Sequence, residues 1–240
     1  MISLTSVYKS FNGNSVLENI DLSIRNDQVY CLLGKNGAGK TTLINLILNL
    51  IKPDSGMIEL LSKPNDQLDN QNKAKIGVLR EDMATINELT GFDYLTLIGH
   101  FYNMPGNLIN QKINEFASYF LDEKETELNN RIEIYSFGMK KKVALISAIM
   151  NEPNILILDE PFAGLDPLSA KKLVVYLNSY RSPERLILLS SHNLNYIKQI
   201  ATHVGVIHKK KLLFNSGISE FPVQKGESFE DAFCRIIESQ

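Results

Sequence analysis

The sequence predicts an α/β fold with a parallel-sheet core, an antiparallel β layer near the N-terminus, and a helical subdomain inserted into the core. Three observations carry this. Residues 29–51, VYCLLGKNGAGKTTLINLILNLI, pass from a short apolar run through a glycine-rich turn into an apolar helix. Two later apolar runs, Asn154–Leu158 and Arg185–Leu189, end in acidic or polar clusters, as buried parallel strands do where their carboxyl ends carry chemistry. Between the first segment and these runs, apolar residues from Phe92 to Phe120 recur near helical spacing.

Bulk composition narrows the class. A chain of 240 residues can bury a full core, and 44% apolar with 22% charged residues is ordinary for a globular protein. A net charge of −2 gives no reason to expect nucleic-acid binding. Two cysteines, Cys31 and Cys234, offer no disulfide framework and fit a reducing compartment. The N-terminus, MISLTSVYKSF, lacks an apolar signal core, and no run reaches membrane-span length. The expected location is therefore cytoplasmic, with any membrane contact made through a partner.

Taken in order, residues 1–27 alternate apolar and polar positions around Asn12-Gly13-Asn14, with Ile2, Leu4, Val16, Leu17, Ile20, Leu22 and Ile24 on the apolar side. This predicts paired antiparallel strands. Tyr8 and Phe11 fall in that layer, where a ring can stack on a nucleotide base or serve as a core or edge aromatic. Val29–Leu33 reads as a buried strand, and Leu43, Ile44, Leu46, Ile47, Leu48, Leu50 and Ile51 as a buried helix. Between them, Gly34-x-x-x-x-Gly39-Lys40-Thr41 matches the phosphate-binding loop in the strand-to-helix context that motif requires. Glycines let successive N–H groups turn inward on phosphate oxygens, the helix N-terminus adds positive partial charge, Lys40 can reach the β- and γ-phosphates, and the Thr41 hydroxyl can ligate Mg²⁺. The alternative is a glycine-rich turn that merely links strand to helix.

Lys52-Pro53-Asp54-Ser55-Gly56 is a stop and turn, Met57–Leu61 a short strand, and Ile76–Leu79 a further strand ending at Arg80-Glu81-Asp82. Residues 83–150 read as the helical insert, broken into two helices at Pro105-Gly106. Ser136 suits a helix N-cap, and Gly138 allows close backbone approach. The run Lys140-Lys141-Lys142 that follows reads as a solvated face. Ile155–Leu158 predicts a buried parallel strand whose end carries Asp159, suited to hold Mg²⁺, and Glu160, suited to take a proton from attacking water. Two solvated acids at a strand end are the alternative. Asp166-Pro167 has the form of an N-cap and first helical residue. His192 lies beyond the strand Arg185–Leu189, either as a catalytic group or as a satisfied polar residue. Val204–Ile207 and Lys211–Phe214 predict a hairpin, and residues 226–240 a helix docking Phe229, Ala232, Phe233, Ile236 and Ile237.

The order of these pieces, with IGVLRED, ELTGFDYL, YSFGMKKKVALISAIM, LDEPFAGLDP and SFEDAF, resembles the ATP-binding subunits of ABC (ATP-binding cassette) transporters over essentially the whole chain. It looks most like subunits paired with ABC-2-type export permeases. The resemblance implies one ABC ATPase domain over 1–240, with a P-loop NTPase (RecA-like) core, the helical subdomain at about 83–150 and a C-terminal helix at about 226–240. It implies that Phe11 stacks on adenine, Val16 lies beneath the ring, and Asn36, Gly37, Ala38, Gly39, Lys40, Thr41 and Thr42 hold ATP in the Walker A loop. It makes Ser136 and Gly138 signature-motif contacts to the ATP of the opposite subunit, and Asp166 part of the D-loop. Thr41, Glu81 and Asp159 become ligands around Mg²⁺. Glu160, Lys40 and His192 become the catalytic groups, with Glu160 as the base. The implied partners are a second copy or paralogous subunit and a polytopic permease on the inner face of the membrane, with no nucleic acid.

The chain departs from that family pattern at three places. Arg80-Glu81 stands where Pro-Gln is usual. Phe137 replaces a signature glycine, and its β-carbon disfavours positive φ. Lys140, Lys141 and Lys142 stand where an arginine is often found. A competing reading is a soluble ATPase of the same family serving iron–sulfur assembly, translation or DNA repair. Those members carry two cassettes, a long coiled coil or zinc cysteines, and this sequence shows none of these. A regulatory nucleotide sensor would lack Glu160 or Lys40, and both are present. Phe92, Tyr94, Leu97, Phe101, Tyr102 and Met104 are expected to form an apolar groove beside Glu81 that receives a permease helix. The alternative is that these side chains line the insert's own core.

Overall fold

Alternation near the N-terminus produces a hairpin. The computed structural model, which describes residues 1–83, 85–121 and 128–239, pairs β1 (Ile2–Phe11) antiparallel with β2 (Asn14–Ile24), Ile2 opposite Ile24 and Phe11 opposite Asn14. Asn12 and Gly13 both take positive φ (50° and 79°), the turn type that matches strand twist. Further along the chain, β4 (Ser55–Leu60) pairs antiparallel with the other edge of β1, and the two-residue β5 (Lys63–Pro64) pairs with β4. The layer order is β2-β1-β4-β5.

The run Val29–Leu33, now β3, is buried at every position. That is what an apolar strand covered on both faces requires. It lies in parallel between β8 (Leu186–Ser190) and β9 (His203–His208), and β10 (Lys211–Gly217) closes the predicted hairpin against β9. Helix α1 (Lys40–Ile47) follows β3 and buries Leu43, Ile44, Leu46 and Ile47. It ends earlier than the apolar pattern suggests, because Asn49 turns left-handed (φ 54°) and leaves Leu50 exposed. After α7 (Leu194–Ile200), α8 (Phe229–Glu238) opens on a Ser228/Asp231 capping box. Phe229, Ala232 and Ile237 are buried, with Phe233 and Ile236 half-buried. The Arg235 guanidinium donates to both Glu227 carboxylate oxygens at 2.9 Å and to the Pro222 carbonyl at 2.5 Å. These elements form one compact unit drawn from both ends of the chain, Met1–Asp69 and Arg181–Gln240.

A second compact unit spans the contiguous segment Asn70–Tyr180, wider than the expected helical insert because it includes two strands. After the short α2 (Asn70–Lys73), β6 (Ile76–Leu79) pairs in parallel with β7 (Ile155–Leu158). Helices α3 (Gly91–Phe101) and α4 (Gly106–Phe120) separate at Pro105, followed by α5 (Phe137–Ile149) and α6 (Pro167–Tyr180). Thr90 caps α3 by accepting the Asp93 N–H at 3.0 Å. Phe116, Phe120 and Tyr176 meet edge-on, and Tyr180 stacks on Tyr176, tying α4 to α6. Of the expected insert, residues 84 and 122–127 lie outside the described residues, as does residue 240 of the C-terminal helix.

Candidate nucleotide site

The turn after β3 has the shape its glycines permit. Gly37 and Gly39 sit at φ 77° and 104°, and Gly39 is the left-handed N-cap of α1. A β-carbon on Gly39 would lie 2.9 Å from Leu17 Cδ2 and 3.4 Å from the Val16 carbonyl, so the loop presses against β2 where Val16 is half-buried. Lys40 is buried, and its Nζ donates to the carbonyls of Gly34 at 2.8 Å and Lys35 at 3.4 Å. Its ammonium thus spans the turn it follows. Asn36 and Thr41 are exposed, and Ala38 and Thr42 half-buried. Phe11 is 45% exposed at the end of β1, with Lys9 Nζ 5.2 Å from its ring centroid. The ring is therefore outside the core and its π-face already attracts a cation. His192 is exposed two residues beyond β8.

In the second unit, the β6–β7 register is Leu79 opposite Leu158, and the Asp159 N–H extends it by donating to the Leu79 carbonyl at 2.7 Å. Asp159 and Glu160 are both buried, and Glu160 takes φ 47°. A buried glutamate in left-handed backbone costs on the order of 1–3 kcal/mol and is held there by its surroundings. Glu81 is exposed just past β6, and Arg80 gives a two-pronged ion pair to Asp82 (2.9 and 2.8 Å). Ser136 caps α5, its Oγ accepting the Met139 N–H at 3.2 Å. Phe137 is the first residue of α5 and does not adopt positive φ. Its ring fills the space over Gly164 (φ 76°), where a β-carbon would lie 2.2 Å from the ring, and a β-carbon on Gly138 would meet the Gly164 carbonyl at 3.1 Å. The start of α5 thus packs against the loop leading to Asp166. Asp166 caps α6, accepting from the Ser169 N–H at 2.9 Å and Ser169 Oγ at 2.5 Å. Those bonds, with Lys142 nearby, hold its carboxyl well below the usual carboxylate range.

Residues 17–163 match the sequence profile described as ABC transporter. The chain belongs to the ABC transporter family. It is the ATP-binding subunit of such a transporter, the part that acts as an ATPase. Among relatives, the bacitracin transport ATP-binding protein BcrA of Bacillus licheniformis is 34% identical over 221 residues, covering 89% of this chain and 68% of that protein. The lantibiotic transport ATP-binding protein SrtF of Streptococcus pyogenes is 27% identical over 237 residues, covering 99% and 97%. A solved ATP-binding subunit of an ABC transporter superposes with a TM-score of 0.86 at 24% identity, covering 98% of this chain and 99% of that one. A dimeric bacterial ABC transporter cassette gives 0.81 at 22%, covering 91% and 99%. The two structures establish the shared fold.

One expectation needs correction. The lysine run is no solvated face: Lys141 and Lys142 are buried and only Lys140 is half-buried. Every residue of α5 from Lys141 onward is covered, so no side of the helix is left for water. Lys142 Nζ lies 3.4 Å from Asp166 Oδ2. Of the residues expected in a groove beside Glu81, Tyr94 is buried, Phe92, Leu97, Tyr102 and Met104 are half-buried, and Phe101 is exposed. Phe101 and Tyr102 line a cleft of about 530 Å³ together with Asn70, Lys73, Ala74, Ile98, His100 and Asn103. The Tyr102 hydroxyl donates to the Ile76 carbonyl at 3.3 Å, at the start of β6.

Among the described residues, no three His, Cys, Asp or Glu side chains gather to hold a metal. The buried Asp159 at a strand end still fits Mg²⁺, which takes one or two carboxylates and completes its shell with water and phosphate oxygens. Also among the described residues, no helix is long and apolar enough to cross a membrane.

Proposed function

We propose that the chain binds and hydrolyses MgATP to drive a separate polytopic permease, with transport directed outward. The buried, left-handed Glu160 next to Asp159 is the observation that carries the hydrolytic part, because a strained buried acid at a strand end has no structural use that a glycine or asparagine would not serve better. The Lys40 loop and these acids belong to different compact units, and their joint action on one nucleotide is part of the proposal. Coupling to transport is supported by relatives named for bacitracin and lantibiotic transport, and the outward direction follows from the resemblance to subunits paired with ABC-2-type permeases.

In this reading, backbone N–H groups of residues 36–42 and the Lys40 ammonium cradle the phosphates, and Phe11 and Val16 receive the adenine. Thr41 and Asp159 hold Mg²⁺, which when bound neutralises phosphate charge. Glu160 accepts the proton of a water whose oxygen attacks the γ-phosphorus, and ADP departs along the opposite direction. His192 and Glu81 border the γ-phosphate. Ser136, Gly138 and Asp166 face the nucleotide of a second copy or paralogue. The test is Glu160→Gln. It should bind ATP, lower turnover by about 10²–10⁴-fold, and run as a dimer by light scattering when MgATP is present. Turnover at the wild-type rate would remove Glu160 from the role.

A further inference from the structure

We infer that Phe137 is a positioning residue for Glu160, its ring acting as a latch over the loop that runs from that acid to Asp166. The inference rests on the reading of Glu160 as the base given above.

The loop is built from two overlapping turns. The Ala163 N–H donates to the Glu160 carbonyl at 3.2 Å, and the Leu165 N–H donates to the Phe162 carbonyl at 3.3 Å. Phe162 and Ala163 belong to both turns, so a displacement of the second is passed to the first, which begins at Glu160. Phe162 is buried and anchors the pair. Gly164 is the third residue of the second turn, at φ 76°, where glycine is favoured. Phe137 lies over it: an added β-carbon would come within 2.2 Å of Phe137 Cε1 and 2.3 Å of Cδ1. With 55% of its surface exposed, Phe137 lies outside the core, and it covers this turn. Farther along α5, Lys142 Nζ lies 3.4 Å from Asp166 Oδ2, so the helix grips the loop at two points.

Glu160 needs such a grip. Its φ of 47° persists only where the surroundings over-determine it. On one side the Asp159 N–H is fixed to the Leu79 carbonyl. On the other, the two turns hold Glu160 only as firmly as they are themselves held. Without the ring the second turn can relax, and a carboxylate displaced by a fraction of an ångström takes the proton of the attacking water poorly. The phosphate loop around Lys40 lies elsewhere in the chain, so the loss should fall on kcat and leave KM unchanged.

The experiment is steady-state MgATP hydrolysis by the whole chain. Phe137→Ala should lower kcat by about 10- to 100-fold, the scale of a small misplacement of a reacting group, with KM unchanged. Phe137→Leu, which still covers Gly164, should retain most of the rate. In a Glu160→Gln background, Phe137→Ala should alter neither the residual rate nor MgATP-dependent dimerisation by light scattering, because it acts through the carboxylate. A merely structural ring would lower the rate in both backgrounds alike, and that result overturns the inference. So does an unchanged kcat, a rise in KM alone, or loss of the dimer in the Glu160→Gln background. Should alanine destabilise the fold, leucine and then valine at this position carry the same test: a kcat that does not fall as less of Gly164 is covered overturns the inference. Glu160→Gln alone separates the two readings. If it turns over like wild type, the assignment of the base fails. If it is slow while Phe137→Ala is not, only the latch is lost.

Discussion

Gly39 offers a perturbation whose size can be worked from two separate terms. At φ 104° and ψ 7°, an L-residue bears a backbone penalty on the order of 1–3 kcal/mol. The new β-carbon would also lie 2.9 Å from Leu17 Cδ2, and Leu17 is itself fully buried in β2. Overpacking of that kind costs typically about 1–3 kcal/mol. Taking the lower half of each range, since a leucine methyl can turn aside, Gly39→Ala should cost about 2–4 kcal/mol. If the fold bears the strain, urea denaturation shows it directly. If the loop relaxes instead, the cost appears as ATP affinity reduced by about 30- to 900-fold, read by isothermal titration calorimetry. Gly37→Ala is the internal control: its φ is 77°, but nothing lies within 4 Å of its would-be β-carbon. Only the backbone term, about 1–2 kcal/mol, applies there. The reasoning is refuted if Gly39→Ala unfolds and binds ATP like wild type, or if it costs no more than Gly37→Ala.

Other outcomes follow from the same geometry. Phe11→Ala should weaken nucleotide binding by about 1–3 kcal/mol with unchanged thermal stability, because the ring is exposed, and Phe11→Tyr should be tolerated. Early melting with normal affinity would reassign the ring to a structural role. The Glu227 carboxyl is pushed down to about 2, chiefly by the Arg235 guanidinium and then by the Gln224 N–H. A depressed acid stabilises the fold fully above its unfolded value of 4.5 and loses that contribution as pH falls toward 2. Arg235→Met should therefore flatten the protection of α8 amides between those pH values in hydrogen exchange. An acid dependence identical to wild type would remove the clamp from the explanation.

Much of this was legible because backbone demands and residue types coincide. The apolar run at β3, the glycines before Lys40 and the acids closing β7 each announce a local conformation and a chemistry together. The C-terminal helix was readable because Phe229, Ala232 and Ile237 mark its face, while the Ser228/Asp231 box that fixes its start was not read. The lysines of α5 were misread for a physical reason. Charge at a surface-like spacing implies solvent only when one side of the helix is open, and coverage of all sides is a tertiary fact. The end of α1 was likewise hidden, since Leu48, Leu50 and Ile51 continue the apolar pattern past the residue where the backbone turns. The cleft near Tyr102 depends on α2, four residues long, too short to leave a periodic signal.

The drawing of one unit from both chain ends has a kinetic consequence. Strand β3 pairs Val29 with Ile187 on one edge and Tyr30 with His203 on the other, so both its neighbours are synthesised long after it. At about 5–20 residues per second, a nascent chain leaves that strand waiting roughly 8–30 s after it is made. The β1–β2 hairpin can close in microseconds, and the contiguous unit Asn70–Tyr180 is complete before β8 exists. Throughout that interval an entirely apolar five-residue strand has two open edges, a template for pairing with another chain. The window of aggregation risk for this protein therefore opens with the synthesis of Leu33 and closes only after His208.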